Sequence, residues 1–235
     1  MGTWDDGLLD NDSALDGLGD LSHRIVEDIV EASTVERLAA AVGVLLQLSR
    51  YEFGLDTPNG PKIVAAVKRH AAGLAKLAPA AREVLQRVMD GDGKDLAERP
   101  AAMDPAHATL LNRKSKQGRF GQREAALLES EAAREYVQEI AGRCVEAIDS
   151  DFQDEDTWSD LCREAMGIGL LGVLMVIEPC RIERAKLDEW RQKARVGLDT
   201  LEEREDEELE FHRRYHGNLD QVFAVLIERF TANAR

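Results

Sequence analysis

Two rows of side chains in this sequence have the types and spacing for metal or acid–base chemistry. Asp16, Asp20, His23 and Glu27 recur at three- and four-residue steps, which sets three carboxylates and an imidazole on one helical face. Such a row could coordinate a cation or serve as general acid and base. Glu208, His212 and His216 stand at i, i+4 and i+8, a spacing that could hold zinc, although no HExxH motif accompanies it. Catalytic carboxylates need partial burial to shift their pKa, and both rows are expected opposite apolar faces. The plainer reading is a solvated helical surface, so neither a metal nor a cofactor is expected.

Three further motifs resolve in the same direction. Asp90 to Asp95 spells DGDGKD, but Lys94 takes a ligand position of a calcium loop and the glycine falls one place early. A turn is expected. Gly167, Gly169 and Gly172 spell GxGxxG with Asp188 and Glu189 about twenty residues on. A dinucleotide fingerprint needs a strand before the glycines, and the preceding TWSDLCREAM is helical by composition. Close helix packing through small residues is the expectation. The run from Arg113 to Arg123 holds five cations and no acid. It could hold phosphates, but a solvated linker is expected. Cys144, Cys162 and Cys180 fit neither a zinc nor a CxxC spacing, so buried reduced thiols are expected.

The elements that carry these residues read as helices throughout. Asn11, Asp12 and Ser13 supply oxygen acceptors for a helix start. Leu15, Leu18, Leu21, Ile25 and Ile29 then form its apolar face. Ser33 and Glu36 have capping-box spacing, and almost every position from Leu38 to Leu48 is apolar or small, which predicts the most buried helix of the first half. Pro61 is placed to begin a third helix, expected over Lys62–Leu77 with His70 as a packing residue on its inner face. Pro79 opens a fourth. A long helix is expected from Glu124 to Asp149, with Leu127, Leu128, Ala132, Tyr136, Ile140, Cys144 and Ile148 on one side. Further helices are expected from Asp154 to Pro179, over Arg181–Leu201, and around Leu219, Val222, Phe223, Leu226, Ile227 and Phe230. Between the last two, Glu202 to Glu208 holds no core residue and must face solvent or a partner. The fold class is therefore all-α, about eight helices in one or two packed bundles. Residues 1–92 are read as an N-terminal helical domain, 93–122 as a loop-rich basic linker and 123–235 as a C-terminal helical domain.

The opening MGTWDDGLLDNDSALDGLGD is unusual for a chain end, with Trp4, Gly7 and six aspartates in twenty residues. Met1 to Trp4, Gly7, Asp10 to Asp12, Ala14 and Asp16 resemble the N-terminal signature of the bacterial family catalogued as domain of unknown function number 4259. Asp5 and Leu8-Leu9 stand where that family has a second glycine and a Pro-Phe pair. The resemblance implies a small helical bacterial domain and supplies no activity. Independently of it, Trp4 is expected to pack against the first bundle, with Asp10, Asn11 and Asp12 holding the turn that follows.

Charge bounds the partners. The 235 residues carry a formal net charge of −15, unevenly spread. Residues 1–36 hold ten acids against one base, residues 37–145 hold 13 against 17, and residues 146–235 hold 22 against 12. Such a field repels nucleic-acid phosphates and favours a cationic partner. The longest apolar run, Gly167 to Ile177, is far short of the roughly twenty residues that span a bilayer, and no basic-then-apolar leader opens the chain. Cytoplasm is expected. The leading functional reading is a non-enzymatic protein that binds a basic surface of another protein through Trp4, Asp10, Asn11, Asp12, Asp16, Asp20 and Glu27. Toxin neutralisation by an immunity protein is its specific form, and self-association remains open. The alternative is a metal-binding or carboxylate-dependent helical-bundle enzyme using the two rows above.

Overall fold

The structure is a computed structural model that describes residues 12–48, 59–90, 125–151 and 182–202, with single helical positions at Leu170, Leu174, Phe223, Ala224 and Ile227. All regular structure among the described residues is helical: α1 (Asp12–Glu31), α2 (Val35–Leu48), α3 (Gly60–Arg69), a 3₁₀ turn (Ala71–Lys76), α4 (Pro79–Met89), a second 3₁₀ turn (Ala126–Leu128), α5 (Glu131–Asp151) and α6 (Arg184–Glu202). The all-α expectation holds.

Helix α2 sits at the centre. Every side chain from Leu38 to Leu48 is buried, as a helix apolar on all sides requires. It packs against α1, α5 and both 3₁₀ turns, while α3 packs on α1 and α4. On α1 the predicted stripe faces inward: Leu18, Leu21, Ile25 and Ile29 are buried, whereas Asp16, Asp20, His23 and Glu27 are exposed. One contiguous core joins these helices to Ile140, Cys144 and Ile148 of α5, Leu187 and Trp190 of α6, and Leu170, Leu174 and Phe223. Full burial of each large apolar side chain contributes about 1.5–3 kcal/mol.

Three helix boundaries differ from expectation. The cap of α2 is Thr34, not Ser33: the Arg37 amide donates to Thr34 Oγ1 at 3.2 Å. The α1–α2 connection is fixed one residue earlier, because Ala32 is buried and its carbonyl meets His70 Nε2 at 3.0 Å. That leaves Thr34 at the turn into the helix. The expected Lys62–Leu77 helix breaks at His70. There Arg69 donates to the Val30 carbonyl and His70 engages Ala32, so both side chains close the C-terminal end of α1. The chain then tightens into the 3₁₀ turn, and the carbonyls of Leu74 and Ala75 within it and of Leu77 just after it each accept from the Arg82 guanidinium at 3.2 Å. His70 is a packing residue, as expected. The long helix expected from Glu124 restarts at Glu131, because Ser130 Oγ accepts the Ala133 amide at 3.1 Å and acts as a fresh N-cap.

The restart lets Leu127 and Leu128 press together onto α2 at Gly43. A Cβ built on Gly43 would lie 2.8 Å from Leu128 Cδ2 and 3.0 Å from Leu127 Cβ, whereas one on Gly142 of α5 meets nothing within 4 Å. The two glycines should therefore respond with opposite signs in urea unfolding. Gly142→Ala should raise stability by about 0.5–1 kcal/mol through helix propensity. Gly43→Ala should lower it by roughly 1 kcal/mol or more, since overpacking against buried leucines exceeds that gain.

Candidate functional site

Two groups of carboxylates, one along α1 and one between helices, differ in what they face, and the contrast marks the candidate site. The first group faces solvent along α1. Asp16, Asp20, Glu27 and Glu31 are exposed, and Asp16, Asp20 and Glu31 make no ion pair among the described residues. Glu27 lies 3.5 Å from His23 Nε2, with both side chains about 60% exposed (60% and 61%). An exposed ion pair of this kind contributes little to stability. The row is an open, water-facing edge of α1.

The second group is used internally. Asp28 falls between Ile25 and Ile29 at the border of the buried stripe, with its side chain 19% exposed. Its Oδ2 accepts from the Tyr136 hydroxyl at 2.9 Å and from Arg143 Nη1 at 2.8 Å, and its Oδ1 accepts from Arg143 Nη2 at 3.3 Å. Arg143 Nη2 also donates to Glu139 Oε1 at 2.8 Å. Arg37 Nη2 reaches both Glu139 oxygens, at 3.1 and 2.9 Å, and the guanidinium carbon lies 5.1 Å from the Tyr136 ring centroid. One chain of charge-assisted bonds thus runs from α1 through α5 to α2. Burial, and then the Asp28 charge, push the Tyr136 hydroxyl well above its ordinary value near 10. The hydrogen bond that Arg143 donates to Asp28 raises the guanidinium above its ordinary value. At neutral pH Tyr136 is a fixed proton donor and not a base.

A similar arrangement closes α6 onto α5. Trp190 is fully buried, and its indole N–H donates to Asp149 Oδ1 at 2.7 Å. Lys186 Nζ lies 3.1 Å from Asp149 and 3.2 Å from Glu189, and Lys193 lies 2.9 Å from Glu189. Hydrogen bonds to Asp149 and then Glu189 raise Lys186, while those from Lys193 and then Lys186 lower Glu189. Asp188 accepts from Arg184 Nε at 3.0 Å. The two acids downstream of the glycine motif are therefore helical surface residues of α6, and Leu170 and Leu174 within and after that motif are helical and buried.

Of the residues predicted for partner binding, Asp16, Asp20 and Glu27 share the exposed face of α1 and Asp12 begins that helix. Trp4, Asp10 and Asn11 lie outside the described residues, as do Glu208, His212 and His216, the basic run, the DGDGKD turn beyond Asp90, Cys162 and Cys180. Among the described residues no three His, Cys, Asp or Glu side chains come together to hold a metal ion. Cys144 is a buried free thiol, and no described helix is long and apolar enough to cross a membrane.

Sequence reasoning missed Asp28, Tyr136, Glu139, Arg143 and Arg37 as a unit. One signal was present: Asp28 is a carboxylate inside the Ile25, Ile29 and Ala32 stripe, where an acid needs a partner.

Asp28→Ala should cost roughly 2–3 kcal/mol in urea unfolding, because it strands a hydroxyl and a guanidinium at the edge of the core. The adjacent Glu27→Ala should stay within about 0.5 kcal/mol. Alkaline titration offers a second measurement. The folded Tyr136 hydroxyl holds its proton more tightly than the unfolded one, so its contribution is intact below pH 10 and declines as pH rises above it. Tyr136→Phe should flatten the fall in stability above that pH.

No family model, curated protein or solved structure matches the chain.

Proposed function

We propose that this chain is a non-catalytic binding protein whose α1 edge docks a basic surface of another protein. The single observation that carries the reading is the row Asp16, Asp20 and Glu27: exposed, on one face of one helix, and, among the described residues, with no cation bonded to Asp16 or Asp20. Internal needs for negative charge are met by Asp28, Glu139 and Asp149. Asp16 and Asp20 have no such role among the described residues, and exposed charge along one helical face favours encounter and register with an oppositely charged surface. The net charge of −15 adds long-range attraction for a cationic protein and repels nucleic acid.

The specific form of the proposal is an immunity protein of the bacterial cytoplasm that neutralises a basic toxic enzyme by covering its substrate face. Membership of the family catalogued as domain of unknown function number 4259 belongs to the same proposal. Trp4, Asp10, Asn11 and Asp12 belong to the same proposed partner-binding set.

Affinity capture with the full chain tests the reading. The expected result is a basic protein retained in stoichiometric amount, released by salt, and lost from an Asp16→Lys, Asp20→Lys, Glu27→Lys variant that keeps its helical circular dichroism. A partner retained equally by that variant would place recognition elsewhere. Absence of any stoichiometric partner would count against docking itself.

A further inference from the structure

One described stretch runs against the charge of the chain. Asn59 to Asp90 carries six bases (Lys62, Lys68, Arg69, Lys76, Arg82 and Arg87) against two acids, a balance of +4 in a protein of −15. Arg69 and Arg82 cap carbonyls, but Lys62, Lys68 and Lys76 are exposed and make no ion pair among the described residues. The same stretch exposes many small apolar positions, Ala65, Ala71, Ala72, Ala75, Ala78 and Ala80. Short side chains of this kind let another backbone approach closely while the lysines reach past them. Helix α1, with six acids against one base, packs directly on α3. Arg69 and His70 also tie the end of α3 to the end of α1. Complementary surfaces are therefore neighbours on one molecule.

We infer that the occupant of the α3–α4 surface is a second copy of this chain, whose α1 edge lies across it. A two-fold axis between the neighbouring surfaces makes both contacts at once, since each copy offers one acidic edge and one basic face. The inference rests on the reading of α1 as a docking edge and names one basic surface that fits it. A twenty-residue helix is a ridge about 30 Å long and about 10 Å wide. The two reciprocal contacts then cover about 600 Å² per copy, the low end of specific interfaces. The dimer is accordingly weak and reversible. Two chains of −15 repel at long range, but the screening length of about 8 Å at physiological salt leaves contacting groups to decide.

Sedimentation velocity of the full chain, over a dilution series reaching sub-millimolar protein at physiological ionic strength, tests this. The expected result is a reversible dimer. It should weaken about tenfold or more both in K62E/K68E/K76E and in D16K/D20K/E27K, with the fold of each checked by circular dichroism. The two variants mixed in equal amounts should recover wild-type affinity, because each then meets the opposite charge at both contacts. Should reversal disturb folding, K62Q/K68Q/K76Q gives the same weakening in milder form. A wild-type chain that stays monomeric, a dimer indifferent to the lysine changes, or reversed variants that fail to pair would each overturn the inference. The lysine variant keeps α1 intact and should still capture a basic partner, so failure of self-association and failure of the docking reading are distinguishable.

Discussion

A helix that is apolar on every side cannot satisfy itself with one neighbour, and α2 is such a helix. From Leu38 to Leu48 it offers no face to water, so α1, α5 and both 3₁₀ turns close around it. Gly43 marks how tightly. The second 3₁₀ turn approaches to the point where a single methyl group would collide with Leu127 and Leu128. The breaks at His70 and Glu129-Ser130 follow from the same demand. An unbroken helix would carry its side chains past α2, whereas the short tight turns keep Gly73 against Val35 and Leu127 and Leu128 against Gly43.

Encasing α2 brings the inner edges of α1 and α5 together, and their polar residues become a liability unless paired. Asp28, Tyr136, Arg143, Glu139 and Arg37 meet that condition by satisfying one another. Asp149 does the same for Trp190 and Lys186 where α6 closes onto α5. The consequence for function is a separation of charge by role. Acids at the border of the core are consumed in holding helices together, and acids on the outer face of α1 remain available. Net charge alone does not make that distinction. Burial and bonding do.

Helical periodicity made much of this legible. The α1 stripe, the interior character of α2, the start of α4 at Pro79 and the inward side of α5 all follow from spacing and from proline placement. Boundaries within them did not. Ser33 and Thr34 are both cap formers by residue type, and the contact that fixes the turn before them, His70 on the Ala32 carbonyl, comes from 38 positions away. The polar chain from α1 to α5 was illegible for a related reason. Asp28 announces a need for a partner, but its partners lie 108 and 115 residues further on, and periodicity carries no information across that distance. The exposed row was legible because exposure is the complement of a stripe.

The division of carboxylates into scaffold and docking groups is tested most directly by neutralising them singly. Asp28→Asn, Glu139→Gln, Asp149→Asn, Asp16→Asn, Asp20→Asn and Glu27→Gln would each be measured for unfolding free energy and for retention of the captured partner on the same protein. The account predicts two non-overlapping sets: the first three lose stability and keep the partner, and the last three keep stability and weaken capture. Loss of capture at Asp28 or Glu139 with stability unchanged would contradict it, and would move the proposed docking site from the outer face of α1 to the α1–α5 junction.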